Sequence, residues 1–118
     1  MLYPENRPLP VSFYKTESGK EPVREWLKSL TGNEKKTVGE DIKELQFGWP
    51  VGMPLVKKLE TDLWEIRSVL DGKISRIILT IYNNSIILLH GFIKKSQKIS
   101  LKDIQLARKR LKKLKRLT

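Results

Sequence analysis

Residues 63–97 read LWEIRSVLDGKISRIILTIYNNSIILLHGFIKKSQ, and the fold follows from how this stretch pairs with itself. Asp71-Gly72 is the strongest short-range hairpin signal a sequence offers, and Asn83-Asn84 supplies two residues that tolerate the positive φ of a primed turn. Three strands joined by two tight hairpins are therefore expected. Two-residue loops fix the register. Leu70 faces Lys73, so Arg67 lies opposite Arg76; Tyr82 faces Ser85, so Arg76 lies opposite Gly91. Side chains alternate between faces with period two. One face then carries Trp64, Ile66, Ile77, Leu79, Ile81, Ile86, Leu88 and Phe92, which is a core, and His90 falls on it beside Ile77. The other carries Glu65, Arg67, Arg76, Gly91 and Lys95. Lys94 falls on the core-face parity near the sheet edge, and a strand bulge would exchange it with Lys95. Like charges directly opposite on a sheet are destabilising. An anionic ligand is the natural reason to keep Arg67 against Arg76, and removing either is expected to leave the fold intact or more stable.

The length of 118 residues suits one domain, residues 1–118, with a small core. Met1 to Pro10 has no apolar h-region and does not read as a signal peptide, no apolar run approaches a membrane span, and there is no Cys. The cytoplasm is the default expectation. Net charge is +11, and its distribution is uneven. Residues 94–118 hold eleven Lys or Arg and one acid, Asp103; the preceding residues hold thirteen basic and twelve acidic groups. Such a block is the electrostatic footprint of a polyanion partner, or else a solvated helix face.

Val11 to Tyr14 reads as an edge or second-layer strand. Pro22 opens a helix whose apolar stripe is Val23, Trp26, Leu27 and Leu30, ended by Thr31-Gly32. Trp26 reads as core. Asn33 caps a second helix with Glu34 in its first turn and a seam of Val38, Ile42 and Leu45. Gln46 to Val56, with Gly48, Pro50, Gly52 and Pro54, is a loop whose Trp49 and Met53 close over the core edge; it leads into Val56, Lys57, Lys58 and Leu59. A final helix starts at N-cap Ser100, with Asp103 in a short capping box, Ile99 stapled to Ile104, and a buried stripe of Ile104, Ala107, Leu111 and Leu114. Basic residues from Arg108 to Arg116, Arg110 among them, fill its polar face. The expected class is α+β: a small, mostly antiparallel four-stranded sheet with two N-terminal helices and a C-terminal helix.

One His and no Cys leave no zinc constellation, there is no phosphate-cradling Gly-rich loop, and the acids are scattered except for Glu65. No metal or cofactor is expected. What remains is a cation cluster with one carboxylate, which suits a scissile phosphate and the charge developing on a phosphorane. RNA carries its own nucleophile, the 2′-OH, so positioning and neutralisation can cut it without a metal. Crowded cations depress one another's pKa, so a Lys here can act as base or acid.

Lys58-Leu59, then Leu63-Trp64-Glu65-Ile66-Arg67, Arg76-Ile77, the run His90-Gly91-Phe92-Ile93-Lys94-Lys95-Ser96-Gln97-Lys98, Ile104 and Ala107 together resemble the phage-derived HigB-like branch of the RelE/ParE toxin superfamily. The resemblance spans about Phe13 to Arg110. It implies a small sheet wrapped by helices, and the toxin of a type II toxin-antitoxin system: a metal-independent, ribosome-dependent messenger-RNA endonuclease, neutralised by an antitoxin that is often a helix-turn-helix protein. It assigns catalysis to Arg67, Arg76, Lys94, Lys95 and Glu65, the last without a defined role, and makes Lys58 a supporting cation. Lys57, Lys58, Lys98, Lys109, Lys112, Lys113 and Arg116 are expected to bind RNA or the ribosome. The chain departs from the pattern in its basic tail after Arg110 and in showing no evident C-terminal Tyr, which leaves the general base open. Two alternatives stand beside the endonuclease: a superfamily member that inhibits DNA gyrase by protein contact, and a plain RNA-binding module using the basic helix.

Overall fold

A computed structural model describes residues 8–50, 52, 54–94 and 98–116. Both hairpins form as their turn residues dictate. Strands β3 (Leu63–Leu70) and β4 (Lys73–Tyr82) flank Asp71-Gly72, and β5 (Ser85–Lys94) follows Asn83-Asn84. Asn83 and Asn84, at φ 49° and 61°, take the two left-handed values that a type I′ turn requires, whereas at Asp71-Gly72 only Gly72 is left-handed, at 70°. Arg67 pairs with Arg76, as the first register predicts.

The sheet has five strands, ordered β1-β5-β4-β3-β2, with β1 (Val11–Phe13) parallel to β5 and every other pair antiparallel. The strand beyond the expected four is β2 (Val56–Glu60), paired with β3. Its sequence, Val-Lys-Lys-Leu-Glu, lacks apolar alternation, and its turn at Thr61-Asp62 contains neither Gly nor Asn. Asp62 takes the positive φ there, at 63°.

The second hairpin departs from the expected register at one place. From Tyr82–Ser85 to Leu79–Leu88 the pairs are as read, but Ile78 faces His90 and Ile77 faces Gly91. Leu89 is therefore the extra residue of a β-bulge, and everything after it changes face. Arg76 lies opposite Phe92 rather than Gly91. Gly91 and Ile93 join the face of Ile66, Ile77 and Leu79, while His90, Phe92 and Lys94 join that of Glu65, Arg67 and Arg76. The expected placements of His90, Gly91, Phe92 and Lys94 are all corrected by this single residue.

Helices cover both faces. Helices α1 (Pro22–Lys28) and α2 (Gly32–Gly48) pack Val23, Val38 and Leu45 against Ile66, Ile77, Leu79, Ile86 and Leu88. Helix α3 (Leu101–Arg116) packs Ala107, Leu111 and Leu114 on Leu63, Ile78, Ile87 and Leu89. Pro22 begins α1 as read. The cap of α2 is Thr31, not Asn33: Thr31 Oγ1 accepts from Glu34 N–H at 3.2 Å and Thr31 N–H donates to Glu34 Oε1 at 2.9 Å. Trp49 closes the core edge by an edge-on contact with Trp64, ring centres 5.1 Å apart. The expectation for Met53 lies outside the described residues.

Gly91 is where α1 meets the sheet. A Cβ there would sit 2.5 Å from Cε3 of Trp26, against a ring that cannot yield. Gly91→Ala is expected to lower stability by about 1–3 kcal/mol through overpacking, measured as a drop in the urea midpoint. A variant as stable as wild type would mean that Trp26 does not hold this position.

Candidate functional site

The α3 face of the sheet carries two rows of side chains that hold most of the candidate residues. One runs Lys57, Glu65, Ile78, His90 across β2, β3, β4 and β5; the next runs Arg67, Arg76, Phe92. Lys94, opposite Ile74, continues the second row's side of the face. The bulge is what completes both rows on β5.

Glu65 and Arg76 form the floor. Both are buried, 1% and 2% exposed, and Arg76 Nη1 donates to Glu65 Oε1 at 2.9 Å. Arg67 Nε stands 3.9 Å from the same oxygen and keeps about a quarter of its side chain exposed. The opposed arginines are thus bridged by a carboxylate, and the unrelieved repulsion expected from the sequence is absent. Among the described residues Glu65 Oε2 has no hydrogen-bond partner. Beside it opens a concavity of about 180 Å³ lined by Lys57, Leu59, Glu65, Arg76, Lys98 and Ile99.

At the other end stands a histidine clasp. His90 Nε2 lies 2.8 Å from Asp103 Oδ1, Lys94 Nζ 3.3 Å from Asp103 Oδ2, and Ser100 Oγ donates to Oδ2 at 2.5 Å. Ser100 also caps α3 by accepting from Asp103 N–H at 3.2 Å, as the sequence indicates. The Asp103 carboxylate points to His90, however, and not to the Ser100 backbone. Burial pushes the Asp103 carboxyl up, but the bonds from Ser100, His90 and Lys94 outweigh it and hold the group below the ordinary carboxylate range. Phe92 stacks on His90, centres 5.0 Å apart, and Lys94 Nζ lies 5.9 Å over the Phe92 ring.

The expected site residues therefore divide. Glu65, Arg67, Arg76, Lys94, Lys57 and Lys98 come together on one face. Lys58 does not: it is opposite Trp64 on the other face and lies over that ring at 5.8 Å. Lys95 lies outside the described residues. On α3, Lys109, Lys112 and Arg116 are exposed and Lys113 is half-buried. Part of the basic helix is structural. Arg108 grips Glu60 with two bonds of 2.6 and 2.8 Å, and Lys115 meets Asp62 at 3.0 Å, tying α3 to the β2–β3 hairpin. Arg110, expected on the polar face, turns inward over Tyr14 and donates to the Leu89 carbonyl at 2.7 Å, the backbone group at the bulge. Burial lowers its pKa. His90 is the functional candidate that the sequence reading set aside as core. The signal for it was Gly91, since a glycine inside a strand marks a bulge or a close backbone approach, and this one marks both.

Residues 25–112 match the family model described as Phage derived protein Gp49-like (DUF891). The chain belongs to that family. It is one of the RelE/HigB-like toxin families, and the match runs from α1 into α3, so it includes the candidate residues of the sheet face and Asp103 but not Lys113 or Arg116. No curated protein matches the chain. Among the described residues no three His, Asp or Glu side chains converge as metal ligands, and no helix is long and apolar enough to cross a membrane.

Arg76→Ala leaves the Glu65 carboxylate buried without its closest cation. It is expected to lower stability by about 3–5 kcal/mol, correcting the neutral-or-stabilising effect read from the sequence, whereas the paired change Glu65→Leu with Arg76→Leu should recover most of the loss. Urea denaturation of the two variants beside wild type checks this; Arg76→Ala within about 1 kcal/mol of wild type would contradict the buried pair.

Asp103 also has a pH signature. Its folded pKa lies below its unfolded one, near 3.9, so its contribution to stability is complete above that range and is lost as pH falls through the folded value. Glu34 and Glu60, held low by Lys73 and Arg108, lose theirs over the same side of the scale. Asp103→Asn is expected to flatten, without abolishing, the fall in unfolding free energy between about pH 5 and pH 3. An acid limb identical to wild type would show that the clasp does not form in solution.

Proposed function

We propose that this chain is the toxin of a type II toxin-antitoxin system and that it cuts messenger RNA on the ribosome, in the cytoplasm, without a metal ion. The observation that carries the reading is the gathering of Lys57, Arg67, Arg76 and Lys98 around the buried Glu65 carboxylate, with Lys94 held by Asp103 on the same sheet face. Membership of a RelE/HigB-like toxin family supports it.

The chemistry follows from the charges. Arg67, a quarter exposed beside Glu65, and Lys94 present cations to a scissile phosphate, and Arg76 is held in place behind them by its bond to Glu65. Fixed cations that meet charge as it develops on the pentacovalent phosphorus favour the transition state over the ground state. Holding the 2′-OH in line with the departing 5′-oxygen supplies the rest, since the nucleophile is already attached to the substrate. Glu65 acts through Arg76 and is a positioning residue. A cognate antitoxin, a helix-turn-helix protein in this reading, would silence the site.

The test is purified protein added to translating ribosomes, with messenger ends mapped. Wild type is expected to cut ribosome-bound messenger, and Arg67→Ala to slow cleavage by about 10²–10³-fold, the usual effect of losing one charge-stabilising donor. Full activity in Arg67→Ala would remove the site from this face. Inhibition of gyrase with intact messenger would establish the protein-contact reading instead.

The exposed cations of α3, with half-buried Lys113, belong to binding in this reading. Phosphate contacts give affinity a salt slope of about −0.7 to −0.9 each. Neutralising Lys109, Lys112, Lys113 and Arg116 together should weaken ribosome binding and flatten its salt dependence, while cleavage at saturating ribosomes changes little. Unchanged affinity and slope would make these residues a solvated face.

A further inference from the structure

In that reading the cations account for phosphate binding and leave the acceptor of the 2′-OH proton unassigned. We propose that His90 is the general base of the cleavage, its tautomer and orientation set by Asp103. This deepens the endonuclease reading and rests on it.

The argument is geometric. The Leu89 bulge turns His90 onto the charged face, opposite Ile78 and two residues before Phe92, which lies opposite Arg76. His90 and Arg76 are therefore diagonal neighbours, with side-chain origins about 7–8 Å apart. That gap admits a phosphodiester lying over Phe92, with Lys94 toward its oxygens, buried Arg76 behind and His90 toward the ribose. The His90 side chain is 16% exposed and so keeps part of its surface open.

The proton placement follows from the partners. The Asp103 carboxylate takes bonds from Ser100 and Lys94 as well as from His90, so it is an acceptor toward the ring. Nε2 must then carry the hydrogen, which leaves the Nδ1 lone pair as the acceptor. In the reaction the 2′-O–H bond breaks and its proton passes to Nδ1. The 2′-oxygen bonds to phosphorus, the P–O5′ bond breaks, and the 5′-oxygen leaves as an alcohol with a proton from solvent. Asp103 stabilises the imidazolium so formed, which later returns its proton to solvent. The charged groups facing the ring are Asp103 from α3 and Lys94 from β5, with Arg76 from β4 and Glu65 from β3 across the face and Arg110 beyond Leu89.

The experiment is single-turnover cleavage of a defined messenger on bacterial ribosomes by the full chain, followed from pH 5 to 9. His90→Gln is expected to slow cleavage by about 10²–10⁴-fold and to abolish the fall in rate on the acid side. His90→Ala should regain part of the rate when free imidazole is added, and Asp103→Asn should be slowed while still melting cooperatively. A role confined to packing would move neither the pH profile nor the imidazole response. Active wild type with an unchanged acid limb in His90→Gln, or no rescue of a folded His90→Ala, overturns the assignment alone. Inactive wild type overturns the endonuclease reading and the assignment with it.

Discussion

One extra residue in β5 governs both faces of the sheet. Without Leu89 in the bulge, Gly91 would lie on the α3 face and Phe92 on the face that α1 covers, where Trp26 occupies the space over Gly91. The bulge also frees the Leu89 carbonyl from the ladder, and Arg110 reaches across from α3 to satisfy it. The same shift delivers His90, Phe92 and Lys94 to the side that holds Glu65 and Arg76. Core packing, the docking of the last helix and the composition of the candidate site are thus consequences of one irregularity in the hydrogen-bonding pattern.

The charge on this chain is divided between structure and function. Buried Glu65 needs Arg76 beside it, because the field of one charge compensates the lost hydration of the other. Arg108 and Lys115 hold α3 onto the β2–β3 hairpin, and Lys73 ties that region's neighbouring turn to the start of α2 through Glu34 at 2.7 Å. Further cations, Lys57, Arg67, Lys94 and Lys98 on the sheet face and Lys109, Lys112 and Arg116 on the helix, make two surfaces. On the first, Lys57 and Lys98 line a concavity and Lys94 shares Asp103 with His90; the second is exposed. A substrate bound by both would meet position-specific contacts at the first and salt-sensitive attraction at the second.

Much of this was legible in the sequence where local rules act alone. Asp71-Gly72 and Asn83-Asn84 announced their turns, and the first register, with Arg67 against Arg76, followed by counting. The capping signal at Ser100 and the apolar stripe of α3 were equally local. What was not legible depends on contacts remote in sequence. Strand β2 has too few apolar residues to declare itself and exists because β3 offers it an edge. The pairing of Glu65 with both arginines needs two strands side by side. The bulge needs Trp26, sixty-odd residues earlier, to claim the space over Gly91. His90 was misplaced for that reason alone: a period-two count carries a one-residue error into every side chain beyond it.

The central claim is that this sheet face cuts RNA by turning the substrate's own 2′-oxygen on the adjacent phosphorus. The chemistry of the cut ends tests it most directly. Messenger cleaved by the wild-type chain on ribosomes should carry 2′,3′-cyclic phosphate and 5′-hydroxyl ends. Fragments ending in 3′-hydroxyl and 5′-phosphate would contradict the account, because they require water as the nucleophile and give the 2′-OH no part.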